Sequence, residues 1–248
     1  CPLIPLGDTS MQECISLARE LGERVGRELN IPVYLYAHAA LIKERRNLAY
    51  IRSGEYEGFQ KKLEQTEWKP DFGPARFNPA SGATAIGARP LLIAYNVNLD
   101  TGDLAIAKEI AADVRESGKR IVDQEGRVKN RPGRLEHCKA IGWKLKQYNK
   151  VQVSMNLTDY TVTPVHTAFE AVKEQAGKRS VNVTGSELIG MCPLEALLQA
   201  GRYYLQSDAE PDQLIQTAVR ALGLDELGSF DPDAKIIERQ ITKLFNRT

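Results

Sequence analysis

The chain has 248 residues, of which 42% are hydrophobic and 26% charged, and its formal net charge is +1. This length and composition suit one large globular domain or two smaller ones with real cores, and the lack of a basic excess argues against a nucleic-acid-binding protein. No apolar run approaches the roughly 18 residues of a transmembrane helix, and no signal-peptide pattern is found. We therefore expect a cytoplasmic protein that binds neither nucleic acid nor a membrane.

Cysteine and histidine residues form no pattern typical of a metal site. The four cysteines are scattered without a C-x-x-C pair, so we expect reduced thiols rather than a disulfide framework. His38, His137 and His166 have no metal-ligand spacing with one another or with a cysteine. We expect each to be a surface or capped histidine, and we predict no metal.

The first 65 residues have clear helix and strand signals. Ser10 and Glu13 fit a capping box, and apolar residues at helical spacing continue over residues 14–29. The run at 33–36 predicts a strand. A charged and mostly helical stretch follows over 43–65, whose charges are most simply a solvated face.

The glycine- and proline-rich stretch Asp71–Pro90 differs from the rest of the chain. We expect it to hold neither a long helix nor a regular central strand. Its small residues would let the backbone approach a ligand, and Arg76 and Arg89 could bind carboxylates through bidentate hydrogen bonds. The alternative is a simple interdomain linker, although Phe72 and Phe77 are unusual in a flexible one.

The second part of the chain alternates between strand and helix patterns. We expect a strand at 91–98, a helix over 106–114, a hairpin of strands at 141–145 and 151–157, a helix at 164–176, a strand at 181–184, and helices at 193–205 and 213–222. Up to residue 184 this order is the split βαβ, or ferredoxin-like, arrangement, with helices on one face of an antiparallel sheet. The segment before residue 88 indicates the back half of a similar unit.

The segment Gly118–Arg134 is basic and allows two interpretations. It could attract an anionic tail by electrostatic steering. A solvated surface loop is the alternative that we favour, because exposed charges need no partner.

Several motifs together resemble the formiminotransferase domain of glutamate formiminotransferase. The most specific are "WKPDFGPARFNPASGATAIGAR", "LIAYNVNL", "VQVSMNLTDY" and "GSELIGMCPLEALL". The resemblance implies an α+β fold of two ferredoxin-like (alpha-beta plait) subdomains with folate in the cleft between them. It places the C-terminal part of the first subdomain, incomplete at its N-terminus in this chain, at 1–88, the second subdomain at 89–238, and a C-terminal tail at 239–248.

The resemblance also implies the site and its substrates. A formimino group would pass from N-formiminoglutamate to tetrahydrofolate, a co-substrate, in histidine degradation and one-carbon metabolism. The folate-binding residues would be Gly73, Pro74, Ala75, Arg76, Phe77, Asn78, Pro79, Ala80, Ser81 and Gly82. The family's catalytic histidine belongs to a His-Pro-Arg motif that would lie upstream of Cys1, so the resemblance assigns no catalytic residue within this sequence.

Three other functions stay open at this point. The chain could be a folate-binding module without transferase activity. It could be a relative that uses formylglutamate or 5-formyltetrahydrofolate, which need nearly the same pocket. It could also be an interaction or regulatory domain, since fold does not fix function. The oligomeric state is equally open, a homodimer being one of the assemblies that we consider.

Overall fold

The computed structural model of the chain describes residues 1–123 and 125–245 and has a mixed helix-and-sheet, α+β architecture. The chain divides into two compact units, the first covering Cys1–Leu91 and the second beginning at Leu92. None of the helices within the described ranges is long and apolar enough to span a bilayer.

The first unit contains a three-stranded parallel sheet in the order β1-β3-β2. Its elements are β1 (Pro2–Leu3), α1 (Met11–Glu28), β2 (Val33–Ala37), a 3-10 turn (Lys43–Arg46), α2 (Leu48–Arg52), α3 (Glu55–Leu63), a second 3-10 turn (Thr66–Trp68) and β3 (Thr84–Ala88). The predicted first helix, the strand after it and the charged helical stretch are confirmed.

Helix α1 begins where the sequence predicts. The Ser10 side chain accepts a hydrogen bond from the Glu13 amide, and the Glu13 carboxylate accepts one from the Ser10 amide. This reciprocal pair satisfies two N–H groups that otherwise have no partner at a helix start. The buried side of α1, which includes Ala18, packs against the sheet in a core that contains Leu35 and Ile86.

The expectation that Asp71–Pro90 contains no regular central strand was wrong. Residues Thr84–Ala88 form β3, which pairs in parallel with both β1 and β2. The prolines of the stretch lie outside this strand, so none removes a donor from the ladder. Gly87 lies within it because a Cβ there would collide with the carbonyl oxygen and ring of Tyr36.

The second unit contains a four-stranded antiparallel sheet in the order β7-β8-β4-β9 and a separate pair, β5-β6. Its elements are β4 (Ile93–Leu99), α4 (Leu104–Val114), β5 (Lys119–Val122), β6 (Val128–Arg131), β7 (Cys138–Leu145), a 3-10 turn (Lys146–Tyr148), β8 (Lys150–Leu157), α5 (Val165–Gly177), β9 (Val183–Ile189), α6 (Leu194–Leu205), α7 (Pro211–Leu222), α8 (Pro232–Lys235) and α9 (Ile237–Phe245). The predicted hairpin is confirmed as β7 and β8.

The two faces of the larger sheet differ in chemistry. One face is apolar: it includes Tyr95, Val97, Val153 and Met155, and it packs against α4 and α5. Because neighbouring residues of a strand point to opposite sides, the other face is formed by the alternate residues. We call it the polar face; its residues are Lys139, Ile141, Trp143, Gln152, Ser154, Asn156, Ala94, Asn96, Asn98, Gly185, Glu187 and Ile189.

The basic segment Gly118–Arg134 contains a β-hairpin, so the expectation of a surface loop was wrong. Strands β5 and β6 pair in an antiparallel register from Lys119↔Arg131 to Val122↔Val128. Lys119 and Arg131 each contact the Asp113 carboxylate at 2.8 Å. Because these cations already have acidic partners in the same unit, an anionic tail is not needed to explain the charge of the segment.

The last described residues are helical. Residues 239–245 of the expected C-terminal tail lie in α9, and residues 246–248 lie outside the described residues. The Glu238 carboxylate accepts a hydrogen bond from the Leu194 amide at 2.8 Å. This bond connects the start of α9 to the start of α6.

Candidate functional site

The segment 73–82, the folate-binding loop expected from the sequence, lies in the first unit immediately before β3. Asp71 anchors its entrance. The Asp71 carboxylate accepts hydrogen bonds from the Leu35 amide and from Arg45 Nη1, both at 2.7 Å. The backbone of Phe72 also pairs with Val33, the first residue of β2. The loop therefore leaves the body of the unit from a fixed point.

The Arg45 guanidinium is the centre of this anchor. Besides Asp71, it donates to the carbonyl oxygens of Glu67 at 2.9 Å and Lys69 at 2.7 Å. Its Cζ atom lies 4.9 Å from the centre of the Tyr34 ring. Buried charges are stable only when paired and hydrogen-bonded. Here one arginine binds the backbone of Glu67 and Lys69 and the side chain of Asp71, all of which precede the loop.

Two glycines let α1 approach the loop entrance closely. A Cβ at Gly26 would lie 2.6 Å from the backbone nitrogen of Gly73. Gly73 itself has a φ of +78°, which an L side chain rarely adopts. A side chain at either position would push the loop away from the helix.

Within the loop, Asn78 organises a tight turn. Its side-chain oxygen accepts hydrogen bonds from the amides of Ala80 at 3.0 Å and Ser81 at 3.3 Å. Its backbone carbonyl accepts from the Gly82 amide at 2.7 Å. An asparagine that satisfies amides a few residues ahead mimics a backbone turn, so the loop holds its shape with its own bonds.

Aromatic side chains of α3 support the loop from one side. The Phe77 ring lies 5.4 Å from the Tyr56 ring and 6.1 Å from the Phe59 ring, measured between centroids. The Tyr56 hydroxyl donates to the carbonyl oxygen of Pro79 at 2.8 Å. The loop is thus packed and hydrogen-bonded, which a flexible linker would not be.

The two arginines of the stretch have different environments. Arg76 is exposed and has no hydrogen-bond or acidic partner within residues 1–123 and 125–245. Arg89 is half-buried, and its Nη1 donates to the carbonyl oxygen of Pro90 at 2.9 Å. An exposed guanidinium on an ordered loop is a ready partner for a carboxylate, so Arg76 is the stronger anion-binding candidate.

The three histidines have different environments. His38 is exposed after β2, and His137 is exposed with a φ of +50°. The His166 ring stacks on Tyr203 with centroids 4.5 Å apart; burial lowers the pKa of His166, although Glu170 opposes this effect. No group of three potential metal ligands is found among the described residues.

The sequence interpretation missed an amide network on the polar face of the second unit. Asn96, Asn98 and Gln152 are buried there. Gln152 Nε2 donates to Asn98 Oδ1 at 2.7 Å and to Glu187 Oε2 at 3.2 Å. Asn96 Nδ2 donates to Gln152 Oε1 at 3.3 Å and to Glu187 Oε2 at 3.5 Å. The only sequence signal was the asparagine pair that interrupts the apolar strand "LIAYNVNL".

A second carboxylate, that of Glu226, extends this network beside Gly185 of the edge strand β9. Asn98 Nδ2 donates to Glu226 Oε2 at 2.6 Å, and Lys150 forms an ion pair with the same carboxylate. A Cβ at Gly185 would lie 2.6 Å from Glu226 Oε2, so the absent side chain leaves the room that Glu226 occupies. Burial alone would raise the pKa of Glu226, but hydrogen bonds from Lys150, Thr184 and Asn98 outweigh burial and lower it.

Comparison with known protein families decides what the chain is related to. A model of the formiminotransferase domain, N-terminal subdomain, matches residues 1–89, and a model of the formiminotransferase domain matches residues 94–242. The chain belongs to the formiminotransferase domain family. The resemblance stated from the sequence motifs is confirmed.

Individual relatives of this formiminotransferase-family chain agree. It is 45% identical over 242 residues to the formimidoyltransferase-cyclodeaminase of Mus musculus, covering 96% of this chain and 43% of that protein. It is 44% identical over 207 residues to the glutamate formimidoyltransferase of Thermoplasma acidophilum, covering 83% of this chain and 63% of that protein. The glutamate formimidoyltransferase of Streptococcus pyogenes serotype M1 is 41% identical over 206 residues. The chain therefore spans less than half of the mouse relative and under two thirds of the Thermoplasma one.

Proposed function

We propose that the protein containing this formiminotransferase-family chain transfers the formimino group of N-formiminoglutamate to tetrahydrofolate. The products are 5-formiminotetrahydrofolate and glutamate, and the reaction belongs to histidine degradation in the cytoplasm. The ordered loop at 73–82, whose exposed Arg76 guanidinium has no partner among the described residues, is the observation that carries the proposal. The names of the relatives, which describe formimidoyl transfer, support it.

The loop's role follows from the shape of folate. Folate has a flat pterin, an aromatic linker and a glutamate tail with two carboxylates. We assign the binding of a carboxylate to Arg76, because a guanidinium can donate two parallel hydrogen bonds to it. The exposed small residues of the loop leave its backbone N–H and C=O groups accessible to the rest of the ligand. The proposed contact set is Gly73, Pro74, Ala75, Arg76, Phe77, Asn78, Pro79, Ala80, Ser81 and Gly82.

We also propose two subdomains, at residues 1–88 and 89–238, of which the second is ferredoxin-like; the parallel pairing of β1 and β2 with β3 departs from the antiparallel sheet expected for the first. The support comes from the second unit, whose strand order β7-β8-β4-β9 with α4 and α5 against one face fits a split βαβ arrangement. Residues 239–248 would follow as a tail. Limited proteolysis with mass mapping of the products tests these boundaries.

The proposed reaction balances as one bond formed and one broken. N5 of tetrahydrofolate attacks the amidine carbon, and the tetrahedral intermediate then releases the glutamate nitrogen. The proton lost from N5 passes to the leaving amine, so one group can act as base and then as acid, contributing about 10²–10⁴-fold to the rate. We assign this role to none of His38, His137 and His166; the resemblance predicts a histidine upstream of Cys1.

Substitution of Arg76 tests the folate assignment. In the complete native polypeptide, Arg76→Ala removes charge-assisted hydrogen bonds, and we expect the affinity for tetrahydrofolate, measured by calorimetry, to fall about 10- to 100-fold. Arg120→Ala is the matched control, because Arg120 is an exposed arginine on the β5-β6 hairpin. Equal affinities of the wild type and Arg76→Ala for tetrahydrofolate would remove the assignment.

A further inference from the structure

Tyr56, a residue of α3, contacts the loop at 73–82 at three points. Its hydroxyl donates to the carbonyl oxygen of Pro79 at 2.8 Å. Its ring lies 5.4 Å from the Phe77 ring, measured between centroids. A Cβ at Gly82 would lie 3.3 Å from Tyr56 Cδ2, so the ring also lies against the backbone there. One side chain of a helix therefore contacts both the middle and the end of the loop.

No second hydrogen bond fixes this loop from outside. Its internal hydrogen bonds are all accepted by Asn78. Among the described residues, the Tyr56 hydroxyl makes the only hydrogen bond to residues 74–82 that comes from another part of the chain. The other outside support is the packing of Phe77 on Phe59. The turn is thus held together by its own bonds, but it is held against the unit by one phenol and by ring packing.

The two ends of the loop are anchored separately. At the entrance the backbone of Phe72 pairs with Val33, and at the exit the Thr84 amide donates to the carbonyl oxygen of Pro32 at 2.9 Å. Two fixed ends still allow the segment between them to move as one body. The contacts of Tyr56 therefore decide where the middle of the loop lies.

The start of α3 has an unfavourable backbone conformation where it presents Tyr56. Gly54 has a φ of +78° and Glu55 a φ of +49°. The left-handed region is costly for an L residue such as glutamate, so it persists only where the surrounding structure requires it. The Glu55 side chain is exposed and has no hydrogen-bond or ionic partner among the described residues, so its own contacts do not explain the conformation. The conformation does set the direction of the next residue, Tyr56, which faces the loop.

We propose that Tyr56 is a positioning residue that keeps the loop in the conformation that binds tetrahydrofolate. This inference rests on the proposed function and names a residue outside the proposed contact set. Without the contacts of Tyr56, the loop would be displaced from α3 for part of the time, and only the remaining fraction of molecules could bind. The affinity falls with that fraction. The loss lies in the association rate, because binding must wait for the loop to return.

Two variants separate the hydroxyl of Tyr56 from its ring. Tyr56→Phe removes only the bond to Pro79, whereas Tyr56→Ala also removes the packing on Phe77 and Gly82. In the complete native polypeptide, we expect the association rate constant for tetrahydrofolate, measured by stopped flow, to fall about 2- to 10-fold for Tyr56→Phe and more for Tyr56→Ala. The dissociation rate constant should stay about the same in both variants.

Native-state proteolysis tests the position of the loop without any ligand. Arg76 is exposed in the loop, and trypsin cleavage after it follows the population of molecules in which the loop is displaced. We expect cleavage after Arg76 to be about tenfold faster in Tyr56→Ala than in the wild type, whereas cleavage after Arg120 in the second unit should not change. Tyr50→Phe is the matched control: Tyr50 lies in α2, and its hydroxyl makes no hydrogen bond to any described residue. It should change neither the binding rates nor the cleavage.

The inference is overturned if both Tyr56 variants leave the association rate constant unchanged. It is also overturned if they raise the dissociation rate constant alone, because Tyr56 would then be a direct contact of the ligand. A wild type that binds no tetrahydrofolate would overturn the proposed function instead. Cleavage after Arg76 would then decide whether Tyr56 holds the loop: faster cleavage in Tyr56→Ala would support this role, and an unchanged rate would remove it.

Discussion

Substitution of Arg45 by methionine should destabilise the first unit strongly. The side chains of Arg45 and Asp71 are only 5% and 6% exposed, and Arg45 Nη1 lies 2.7 Å from Asp71 Oδ1. Methionine would leave the Asp71 carboxylate buried without a cation and the carbonyl oxygens of Glu67 and Lys69 without this donor. Breaking a buried ion pair from one side costs about 3–5 kcal/mol, a large part of the roughly 5–15 kcal/mol that stabilises a typical domain.

Urea unfolding with a local fluorescence probe measures this change. Trp68 is buried in the first unit and Trp143 lies in the second, so a Trp143→Phe background leaves a reporter of the first unit alone. With a slope of about 2 kcal/mol per M, the expected loss lowers the urea midpoint by about 1.5–2.5 M. Because Asp71 fixes the entrance of the loop, tetrahydrofolate affinity should fall as well.

The control for Arg45 is an exposed ion pair of the same unit. Arg24 lies 3.3 Å from Glu28, and the side chains are 58% and 48% exposed. Solvent-exposed pairs of this kind contribute little to stability, because water and salt screen them, so Arg24→Met should barely move the midpoint. If Arg45→Met shifted the midpoint no more than Arg24→Met, the buried anchor would not stabilise the loop entrance as argued.

Three further predictions concern the second unit. Gly185→Ala places a Cβ 2.6 Å from Glu226 Oε2 and should lower the unfolding free energy by about 1–3 kcal/mol in urea titrations; an unchanged midpoint would contradict this. The folded pKa of Glu226 is lowered from 4.5, so its stabilisation is present above about pH 4.5 and is lost as pH falls through the folded value. Glu226→Gln should therefore flatten the acid decline of stability, and equal slopes would refute it. Asp113→Asn weakens the contacts to Lys119 and Arg131, so the β5-β6 amides should exchange hydrogen faster than in wild type; unchanged protection would contradict this.

Local signals in the sequence predict most of the regular elements. The capping box at Ser10 predicts the start of α1, because the reciprocal bonds involve residues only three positions apart. The core face of α5, which includes Val165, Phe169 and Val172, follows from helical spacing alone. Such patterns depend on the residues of one element, so they can be seen without the rest of the fold.

The hairpin of β7 and β8 shows the limit of such patterns. Alternation in "AIGWKL" predicts the strand but not which of its faces is buried. Ile141 and Trp143 are 56% and 53% exposed, whereas Cys138 and Ala140 are buried. Small residues face α4 because the helix lies very close to the strand: a Cβ at Gly142 would lie 2.5 Å from the backbone nitrogen of Lys108.

The missed features depend on residues distant in sequence. β3 is the middle strand because β1 and β2 both pair with it, and its own composition resembles that of a loop. The amide network joins Asn96 to Gln152 and Glu187, which lie 56 and 91 positions away. Its chemistry appears only when three strands are placed side by side. The folate assignment of the loop remains a prediction.

The transfer reaction itself tests the account most directly. The complete native polypeptide would be incubated with N-formimino-L-glutamate and tetrahydrofolate, and 5-formiminotetrahydrofolate and free glutamate would be quantified by mass spectrometry. We predict equal amounts of the two products, formed only when both substrates are present. Tetrahydrofolate binding without any transfer would contradict the account.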